Sequence, residues 1–232
     1  MKTNSDDSIY FGAYSVPDTF SNNQSIEKIN EKSVNPLTTE FKDYPNYKLI
    51  ELLGQGFFGQ VWKAVRLSDN KIIALKIITV NNNLEDIYRE LEILKRIQKD
   101  CKPFLACLNN YEYLESQNKF LIDMELIVGD NLAVFIKKTP INKRIKYLLL
   151  ILKDLTRTLQ HLHQNGILHN DIKPDNILIT KNLVPVLVDF GVSCFDTSLC
   201  DKYLCCTGVK GPNLFASPET LKSKTYYEQS DV

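Results

Sequence analysis

A glycine-rich stretch in the first third of the sequence has the residue types that bind phosphate. It reads Gly54-Gln55-Gly56-Phe57-Phe58-Gly59-Gln60-Val61. Its glycines let backbone N–H groups approach phosphate oxygens without a Cβ atom in the way, so the stretch is a candidate flap over a nucleotide. A glycine-containing β-turn is an equally good interpretation of this motif alone.

The residues after the glycines indicate which kind of nucleotide site this is. VWKAVRL, a turn at Ser68-Asp69-Asn70 and KIIALKII read as strand, turn and strand, whereas a dinucleotide-binding fold would continue into a helix. No Lys-Ser/Thr pair follows Gly59, so the P-loop NTPase signature is absent from the sequence. We therefore expect a glycine-containing hairpin of two strands.

Lys76 is a second candidate phosphate-binding residue, because it interrupts the apolar strand Ile73-Ala74-Leu75-Lys76. A lysine on an interior strand needs a partner, since burying an unpaired ammonium is costly; a lysine on an edge strand would not, and this alternative remains open. Glu90 is the candidate partner, because it lies three residues after Ile87 and four before Leu94 on one helix face. Such a pair would hold the ammonium against nucleotide phosphates.

The stretch His169-Asn170-Asp171-Ile172-Lys173-Pro174-Asp175-Asn176, followed by Asp189-Phe190-Gly191, resembles the catalytic loop and metal-binding loop of the eukaryotic-type protein kinases. The resemblance runs from about Tyr44 to the last residue and keeps the family's order, ending with Ser217-Pro218-Glu219. Any one of these motifs arises easily by chance, whereas the whole ordered set does not. The family implies an α+β, bilobal fold with a β-rich N-terminal lobe that holds one helix, and a mainly helical C-terminal lobe, here incomplete.

The resemblance also implies a role for each polar residue of these loops. Asp171 would accept the proton of the substrate hydroxyl, and Lys173 would neutralise charge on the transferred phosphoryl group. A lysine two residues after the catalytic Asp, as Lys173 is after Asp171, is typical of Ser/Thr-type members. Asn176 and Asp189 would supply oxygen ligands, which Mg²⁺ prefers. The implied reaction is transfer of the γ-phosphate of Mg·ATP to Ser/Thr hydroxyls of a protein substrate.

The adenosine part of ATP is placed by the same resemblance. Met124 would precede the hinge, backbone groups of Glu125 and Ile127 would hydrogen-bond the base, and Asn131 or Asp130 would reach the ribose. Three apolar side chains would enclose the adenine ring, although a plain core position explains them equally well: Val61, Ala74 and Leu178.

Three features depart from the family pattern. Asn170 stands where many members have an Arg that pairs with a phosphorylated activation segment, so we expect activity not to require that phosphorylation. Pro212 replaces a Thr that usually ties Asp171 and Lys173 together, which weakens the Ser/Thr assignment. The sequence stops at Val232, where the family continues into a buried helix, and Glu219 is therefore expected to lack its usual arginine partner and to be an unpaired carboxylate.

Strands followed by helices must position these residues. Three strands are predicted between residues 47 and 80, then a helix from about Leu84 to Gln98 and a further strand pair. After Gly129 the pattern becomes helical, with a long amphipathic helix through Leu148–Leu162. We expect residues 1–43 to form a disordered polar tail, 44–128 the N-terminal lobe and 129–232 the partial C-terminal lobe.

Composition narrows the class of protein. The chain has 232 residues, 44% of them hydrophobic and 24% charged, which is typical of a globular protein. Lys+Arg and Asp+Glu both total 28, so no net charge predicts nucleic acid or an anionic membrane as partner. No apolar run is long enough to span a bilayer. The sequence does not indicate an oligomeric state.

The N-terminal residues do not resemble a secretory signal, so we expect a soluble, intracellular, cytoplasmic protein. In that compartment the six cysteines would be reduced thiols rather than a disulfide framework. Four of the six lie between Val192 and Ala216, without the CxxC spacing that is typical of zinc sites.

Two alternatives stand beside an active Ser/Thr kinase. A nucleotide-binding pseudokinase that acts as a scaffold usually lacks the equivalent of Lys76, Asp171 or Asp189, and all three are present. A truncated, inactive kinase fragment is the other alternative, and the end of the sequence at Val232 is its support.

Overall fold

Five antiparallel strands form the sheet of the N-terminal half. The computed structural model describes residues 44–56, 59–81, 84–196, 204–206, 215–223 and 226–231. The strands are β1 (Tyr47–Gly56), β2 (Gly59–Arg66), β3 (Lys71–Thr79), β4 (Leu108–Leu114) and β5 (Lys119–Met124), in the spatial order β1-β2-β3-β5-β4. Asn70 and Asn118 turn the chain between successive strands with positive φ angles of 55° and 51°, which asparagine tolerates well.

One helix, α1 (Leu84–Gln98), packs against this sheet and has the predicted bounds. Its apolar residues recur at helical spacing and are buried: Ile87, Leu91, Leu94 and Ile97. Glu90 lies on the same face and is only 4% exposed. The periodicity of the sequence therefore brings an acidic side chain into the interior along with the apolar ones.

The second half consists of helices and short strands. In chain order it contains β6 (Gly129–Asn131), α2 (Leu132–Lys138), α3 (Ile141–Gln164), β7 (Ile167–Leu168), β8 (Ile177–Thr180), β9 (Pro185–Leu187), β10 (Cys194–Phe195) and α4 (Pro218–Ser223). Short 3-10 turns cover Glu115–Gln117, Pro174–Asn176 and Glu228–Asp231. Strands β6, β8 and β9 form one small sheet, and β10 pairs with β7.

Two hydrophobic clusters hold these elements together. The larger cluster joins α1 to α3 and to β7, β8 and β9, and its buried residues include Leu94, Leu105, Leu159 and Leu187. The smaller one lies on the other face of the five-stranded sheet, around Tyr47, which is 2% exposed. The α+β architecture with a β-rich first half and a helix-containing second half is confirmed.

Several predictions concern residues outside the described ranges. The prediction of a disordered tail at residues 1–43 and the predictions for Phe57, Phe58 and Pro212 are all in this group. Among the helices that the structure describes, none combines the length and the apolar character needed to cross a membrane.

The expectation of reduced thiols is wrong for the cysteines that are described. Cys101 is bonded to Cys107, and Cys194 to Cys206, with Cα separations of 6.0 and 5.1 Å that fall within the usual range for disulfides. Cys205 is also in a disulfide. The fold brings the first pair together, because the chain between Cys101 and Cys107 makes a turn in which Leu105 N–H donates to Lys102 O (3.0 Å). The spacing of cysteines along the sequence does not reveal such proximity.

Candidate active site

A cavity of about 290 Å³ lies between the five-stranded sheet and the strand β8. Its lining contains many of the predicted catalytic, nucleotide-binding and metal-binding residues: Gly54, Val61, Ala74, Lys76, Glu90, Met124, Glu125, Ile127, Asn176, Leu178 and Asp189. It also contains residues that the sequence interpretation did not select: Leu53, Leu94, Ala106, Leu126, Asp175, Val188 and Phe190. The size and the mixed apolar and charged lining suit a small organic ligand that carries charge.

The apolar end of the cavity is built from paired strands. Ala74 on β3 is directly opposite Met124 on β5, and Val61 on β2 is opposite Lys76 on β3. The N–H of Glu125 donates to Cys107 O (2.9 Å), so its carbonyl oxygen is the candidate acceptor at the cavity rather than its N–H. A flat apolar ring fits this end.

Lys76 lies at the charged end and contacts two carboxylates. Its Nζ is 2.6 Å from Glu90 Oε1 and 3.0 Å from Asp189 Oδ1, and the Lys76 side chain is 5% exposed. Strand β3 has neighbours on both sides, which excludes the alternative of an edge-strand lysine. Burial works against the ammonium, but the carboxylates of Glu90 and Asp189 outweigh it and hold the pKa of Lys76 above its ordinary value. Lys76 is therefore a buried cation.

Asp189 is kept ionised by the same contacts. Burial would raise its pKa, but the Lys76 ammonium and the N–H of Gly191, which donates to Oδ1 over 3.3 Å, lower the pKa below the ordinary value. Its backbone has a φ of 63°, an unusual conformation for a residue other than glycine. Such strain at a charged, cavity-lining residue is typical of functional sites.

The catalytic-loop residues lie next to the cavity and contact each other. Asp171 is 6% exposed, and its Oδ2 accepts from Lys173 Nζ (2.7 Å) and from Asn176 Nδ2 (2.7 Å). Asn176 Nδ2 also donates to the Asp171 carbonyl over 2.9 Å. The other carboxylate oxygen, Oδ1, is buried and has no hydrogen-bond partner among the described residues. A buried acceptor of this kind is costly unless a ligand uses it.

Two side chains fit the role of ligands for a divalent cation. The Asn176 amide uses its Nδ2 for both contacts with Asp171, so its Oδ1 is the remaining donor atom for a metal. Asp189 Oδ1 accepts from Lys76 and Gly191, which leaves Oδ2. Both residues line the cavity. A carboxylate and an amide oxygen are the hard donors that Mg²⁺ prefers, so this donor set fits such an ion.

Asp231 supports the catalytic loop from below and was not selected from the sequence. It is 3% exposed, and its carboxylate accepts from the backbone N–H groups of His169 (2.8 Å) and Asn170 (2.7 Å). It also lies 3.0 Å from His163 Nε2. No local motif marks Asp231, because its partners are 61 and 62 residues away along the chain.

His169 is enclosed by the same part of the fold. Its ring contacts Phe190 with centroids 5.0 Å apart, and its Nε2 lies 3.2 Å from Val188 O. Burial lowers the pKa of His169, although nearby carboxylates, Asp231 first among them, oppose this. The imidazole is therefore a neutral packing element that links the catalytic loop to the segment carrying Asp189.

The expectation of an unpaired Glu219 is wrong. Its Oε1 accepts from Ser230 Oγ over 3.0 Å, and the side chain is half-buried rather than buried. Hydrogen bonds from its own backbone N–H, from Ser217 and from Ser230 lower its pKa. The hydroxyl side chains of Ser217 and Ser230 thus supply hydrogen bonds to the carboxylate that was expected to be unpaired.

Some predicted residues do not reach the cavity. Asn131 caps α2, accepting from Val134 N–H (2.9 Å), and donates to Asp175 Oδ1 (3.2 Å), so its side chain has a structural use. Gln55 Oε1 contacts Gln60 Nε2 at 3.4 Å. Gly56 and Gly59 likewise stand outside the residues that line the cavity.

The glycines of the first hairpin differ in whether packing leaves room for a side chain. A Cβ atom on Gly59 would lie 2.3 Å from Ile77 O, and its φ is 117°, so packing against β3 requires glycine there. A Cβ atom on Gly54 or Gly56 would meet no atom within 4 Å. Packing therefore does not explain the latter two glycines, which is compatible with the approach of a ligand.

The sequence profile described as protein kinase domain matches residues 47–232. The serine/threonine-protein kinase fused of Drosophila melanogaster is 30% identical over 194 residues, covering 80% of this chain and 22% of that protein. Serine/threonine-protein kinase 4 homolog B of Dictyostelium discoideum is 28% identical, over 80% of this chain and 16% of its own length. Serine/threonine-protein kinase cds1 of Schizosaccharomyces pombe is 34% identical, over 77% and 39%.

The chain thus spans about a fifth of the length of the first of these relatives. The profile match covers most of the chain and includes all the cavity-lining residues named above. The chain belongs to the protein kinase domain family.

Proposed function

We propose that this chain transfers the γ-phosphate of ATP, bound with Mg²⁺, to Ser or Thr hydroxyls of protein substrates. One observation carries the proposal: a buried Lys76 paired with Glu90 and Asp189 stands at the charged end of a cavity that Asn176 also lines. Asn176 in turn donates to Asp171, whose Oδ1 is buried and has no partner among the described residues. The Lys76 ammonium suits the phosphates of the donor, and Asp171 Oδ1 suits the hydroxyl of the acceptor.

ATP would lie with its base at the apolar end of the cavity. Val61, Ala74 and Leu178 would contact the ring, Met124 would close its inner side, and the carbonyl of Glu125 with the backbone of Ile127 would hydrogen-bond its edge. The glycine hairpin, with Gln55, Gly56, Phe57, Phe58 and Gly59, would cover the phosphates from Gly54 onward. Asn131 is proposed only for the ribose side, since its side chain already caps α2.

Each charged or polar residue of the site would have a separate role in phosphoryl transfer. Lys76 would hold the phosphates of the donor, and Glu90 would hold Lys76. Asn176 and Asp189 would bind Mg²⁺, which supplies positive charge to the phosphate oxygens when bound. Asp171 Oδ1 would accept the proton of the substrate hydroxyl, and Lys173, which is 23% exposed, would meet the transferred phosphoryl group.

The preference for Ser/Thr acceptors rests on Lys173 and on the names of the relatives, which are serine/threonine-protein kinases. A Thr at the position of Pro212 is not needed to join Asp171 and Lys173, because these two contact each other directly at 2.7 Å. We also propose the division into lobes at 44–128 and 129–232, since the cavity-lining segment Met124–Ile127 links the five-stranded sheet to the elements that follow.

The decisive experiment measures transfer of labelled γ-phosphate from Mg·ATP to a generic basic protein by the 232-residue chain. Asp171→Asn keeps the shape of the side chain and removes the proton acceptor, so the rate should fall by about 10²–10⁴-fold. Asp154→Asn is the matched control, because Asp154 pairs with Arg157 on the surface of α3. Equal transfer by the wild-type chain and Asp171→Asn would reject the proposal.

The remaining alternatives give different results in the same assay. A nucleotide-binding scaffold would show a higher melting temperature with Mg·ATP but no transfer at any enzyme concentration. An inactive fragment would show neither transfer nor a cooperative unfolding transition.

A further inference from the structure

Asn170, the residue before the proposed proton acceptor, contacts a pair of bonded sulfurs. Its Nδ2 lies 2.7 Å from Cys194 Sγ and 4.0 Å from Cys206 Sγ. Its backbone N–H donates to Asp231 over 2.7 Å, and its φ of 63° is a conformation that asparagine adopts more readily than most residues. The amide is therefore held against the disulfide by a fixed backbone.

The two cysteines of this disulfide differ in their exposure to solvent. Cys194 is 1% exposed, and its backbone pairs with Leu168 on β7. Cys206 is half-buried. Thiol–disulfide exchange needs an accessible sulfur for the incoming thiolate and a good leaving thiolate on the other side. Access favours attack at Cys206, so Cys194 would be the leaving sulfur, and this is the sulfur that the Asn170 amide faces.

We propose that Cys194–Cys206 is a thiol-exchange site whose co-reactant is a dithiol, with Asn170 as a positioning residue. A thiolate of the dithiol attacks Cys206 Sγ, the disulfide breaks, and Cys194 leaves as a thiolate that the Asn170 N–H stabilises and that then takes up a proton. The second thiol of the co-reactant attacks the mixed disulfide and releases Cys206. The chain gains two protons and two electrons, and the dithiol becomes a disulfide.

The site is joined to the candidate active site through the backbone. Phe195 N–H donates to Leu204 O over 2.9 Å, so the disulfide crosslinks two segments that pair beside it. On the other side, Asn170 directly precedes Asp171. Reduction removes the crosslink and replaces the sulfur pair that faces Asn170. This consequence rests on the proposed function: we expect reduction to slow phosphoryl transfer.

The first test measures exchange itself, with dithiothreitol as the probe dithiol and the folded chain under native conditions. Free thiols are trapped with N-ethylmaleimide at intervals and located by mass spectrometry, with fragmentation between Cys205 and Cys206. Asn170→Asp replaces the N–H donor by an acceptor, and Asn170→Gly removes the amide; both substitutes tolerate positive φ. In each variant, reduction of Cys194–Cys206 should be slower by about fivefold or more.

The disulfide Cys101–Cys107 is an internal reference in the same samples, because it does not contact Asn170 and its rate reports general loosening of the fold. An unchanged Cys101–Cys107 rate with a slower Cys194–Cys206 rate supports the proposal. Equal Cys194–Cys206 rates in the wild-type chain and both variants would overturn the role of Asn170. A Cys194–Cys206 disulfide that the dithiol does not reduce in the folded chain would overturn the site.

The second test separates the exchange site from its effect on transfer. Phosphoryl transfer is compared before and after reduction in the wild-type chain and in Cys194→Ser/Cys206→Ser. The connection is supported if reduction slows transfer by the wild-type chain, and if the double variant is equally slow and does not respond to dithiol. Equal transfer rates for the oxidised wild-type chain, the reduced wild-type chain and the double variant overturn it. Exchange without any phosphoryl transfer would mean that the proposed function fails while the exchange site stands.

Discussion

The two ends of the candidate site are held together in different ways. At the nucleotide end, Lys76 contacts Glu90 and Asp189, which lie 14 and 113 residues away along the chain. At the acceptor end, Asp171 contacts Lys173 and Asn176, which are two and five residues away. The nucleotide end exists only when sheet, helix and the Asp189 segment have assembled, whereas the contacts within the acceptor end are local.

The local loop nevertheless depends on one distant residue. Asp231 accepts from His169 and Asn170 across more than sixty positions, which sets the loop's place in the fold. Short-range hydrogen bonds therefore form the acceptor group, and a long-range carboxylate orients it. Substitutions at the nucleotide end should therefore affect stability as well as function, and substitutions around Asp231 should act mainly through the loop.

Lys76→Met should have the largest effect on stability. It leaves Glu90, 4% exposed, without its ammonium, and breaking a buried ion pair by removing one partner costs about 3–5 kcal/mol. Urea unfolding measures the loss, and Mg·ATP should no longer raise the melting temperature. The double variant Lys76→Met/Glu90→Gln, which also removes the buried charge, should recover part of the stability. A Lys76→Met chain as stable as the wild type would contradict the burial of this pair.

Gly59→Ala should have the second largest effect on stability, because the added Cβ atom would lie 2.3 Å from Ile77 O and the φ of 117° is strained for alanine. We expect a loss of about 3 kcal/mol in the free energy of unfolding. Gly54→Ala is the matched control, since its Cβ would meet no atom within 4 Å. Gly54→Ala should leave unfolding nearly unchanged and weaken ATP binding instead. Equal destabilisation by the two substitutions would contradict the distinction between packing and ligand-facing glycines.

Asp231→Asn should affect the acceptor end with a smaller loss of stability. The carboxylate accepts from two backbone N–H groups, and replacing it by a neutral amide should cost about 2 kcal/mol. Because the cavity does not include Asp231, the Kd for ATP should stay the same while kcat falls. Steady-state kinetics together with nucleotide titration separate the two quantities. A change in Kd with kcat unaltered would contradict an orienting role at the loop.

The smallest expected effect is on the pH dependence of stability through His169. Burial lowers its pKa below the ordinary 6.5, so below that pH the unfolded chain binds a proton that the folded chain does not. Stability from this group is complete above pH 6.5 and is lost as the pH falls through the folded pKa, by at most about 1.4 kcal/mol per pH unit. Urea unfolding at several pH values should show a shallower slope for His169→Asn than for the control His161→Asn.

Part of the fold follows from patterns that sequence records directly. The bounds of α1 and the burial of Glu90 on its inward face follow from helical periodicity, and the hairpin turns at Asn70 and Asn118 follow from turn chemistry. The ordered motifs from Gly54 to Asp189 identify the family because each motif is contiguous. Such features depend on residues that are close together in the chain, and their spacing can be read directly from the sequence.

Other parts became visible only in three dimensions. The cap that Asn131 places on α2, the hydrogen bond of Glu219 with Ser230 and the disulfides of Cys101 and Cys194 all depend on which segments the fold brings together. Nothing in the pattern around Asn170 indicates that its amide faces a sulfur pair.

The family, the order of the elements and the residue types of the candidate site can be read from the sequence, since these depend on local spacing. Three features appear only in the folded chain: the oxygen of Asp171 that has no partner among the described residues, the hold of Asp231 on the catalytic loop, and the pairing of the cysteines. The physical reason is that burial and hydrogen-bond pairing depend on contacts between residues far apart in the chain, and these exist only in the folded molecule.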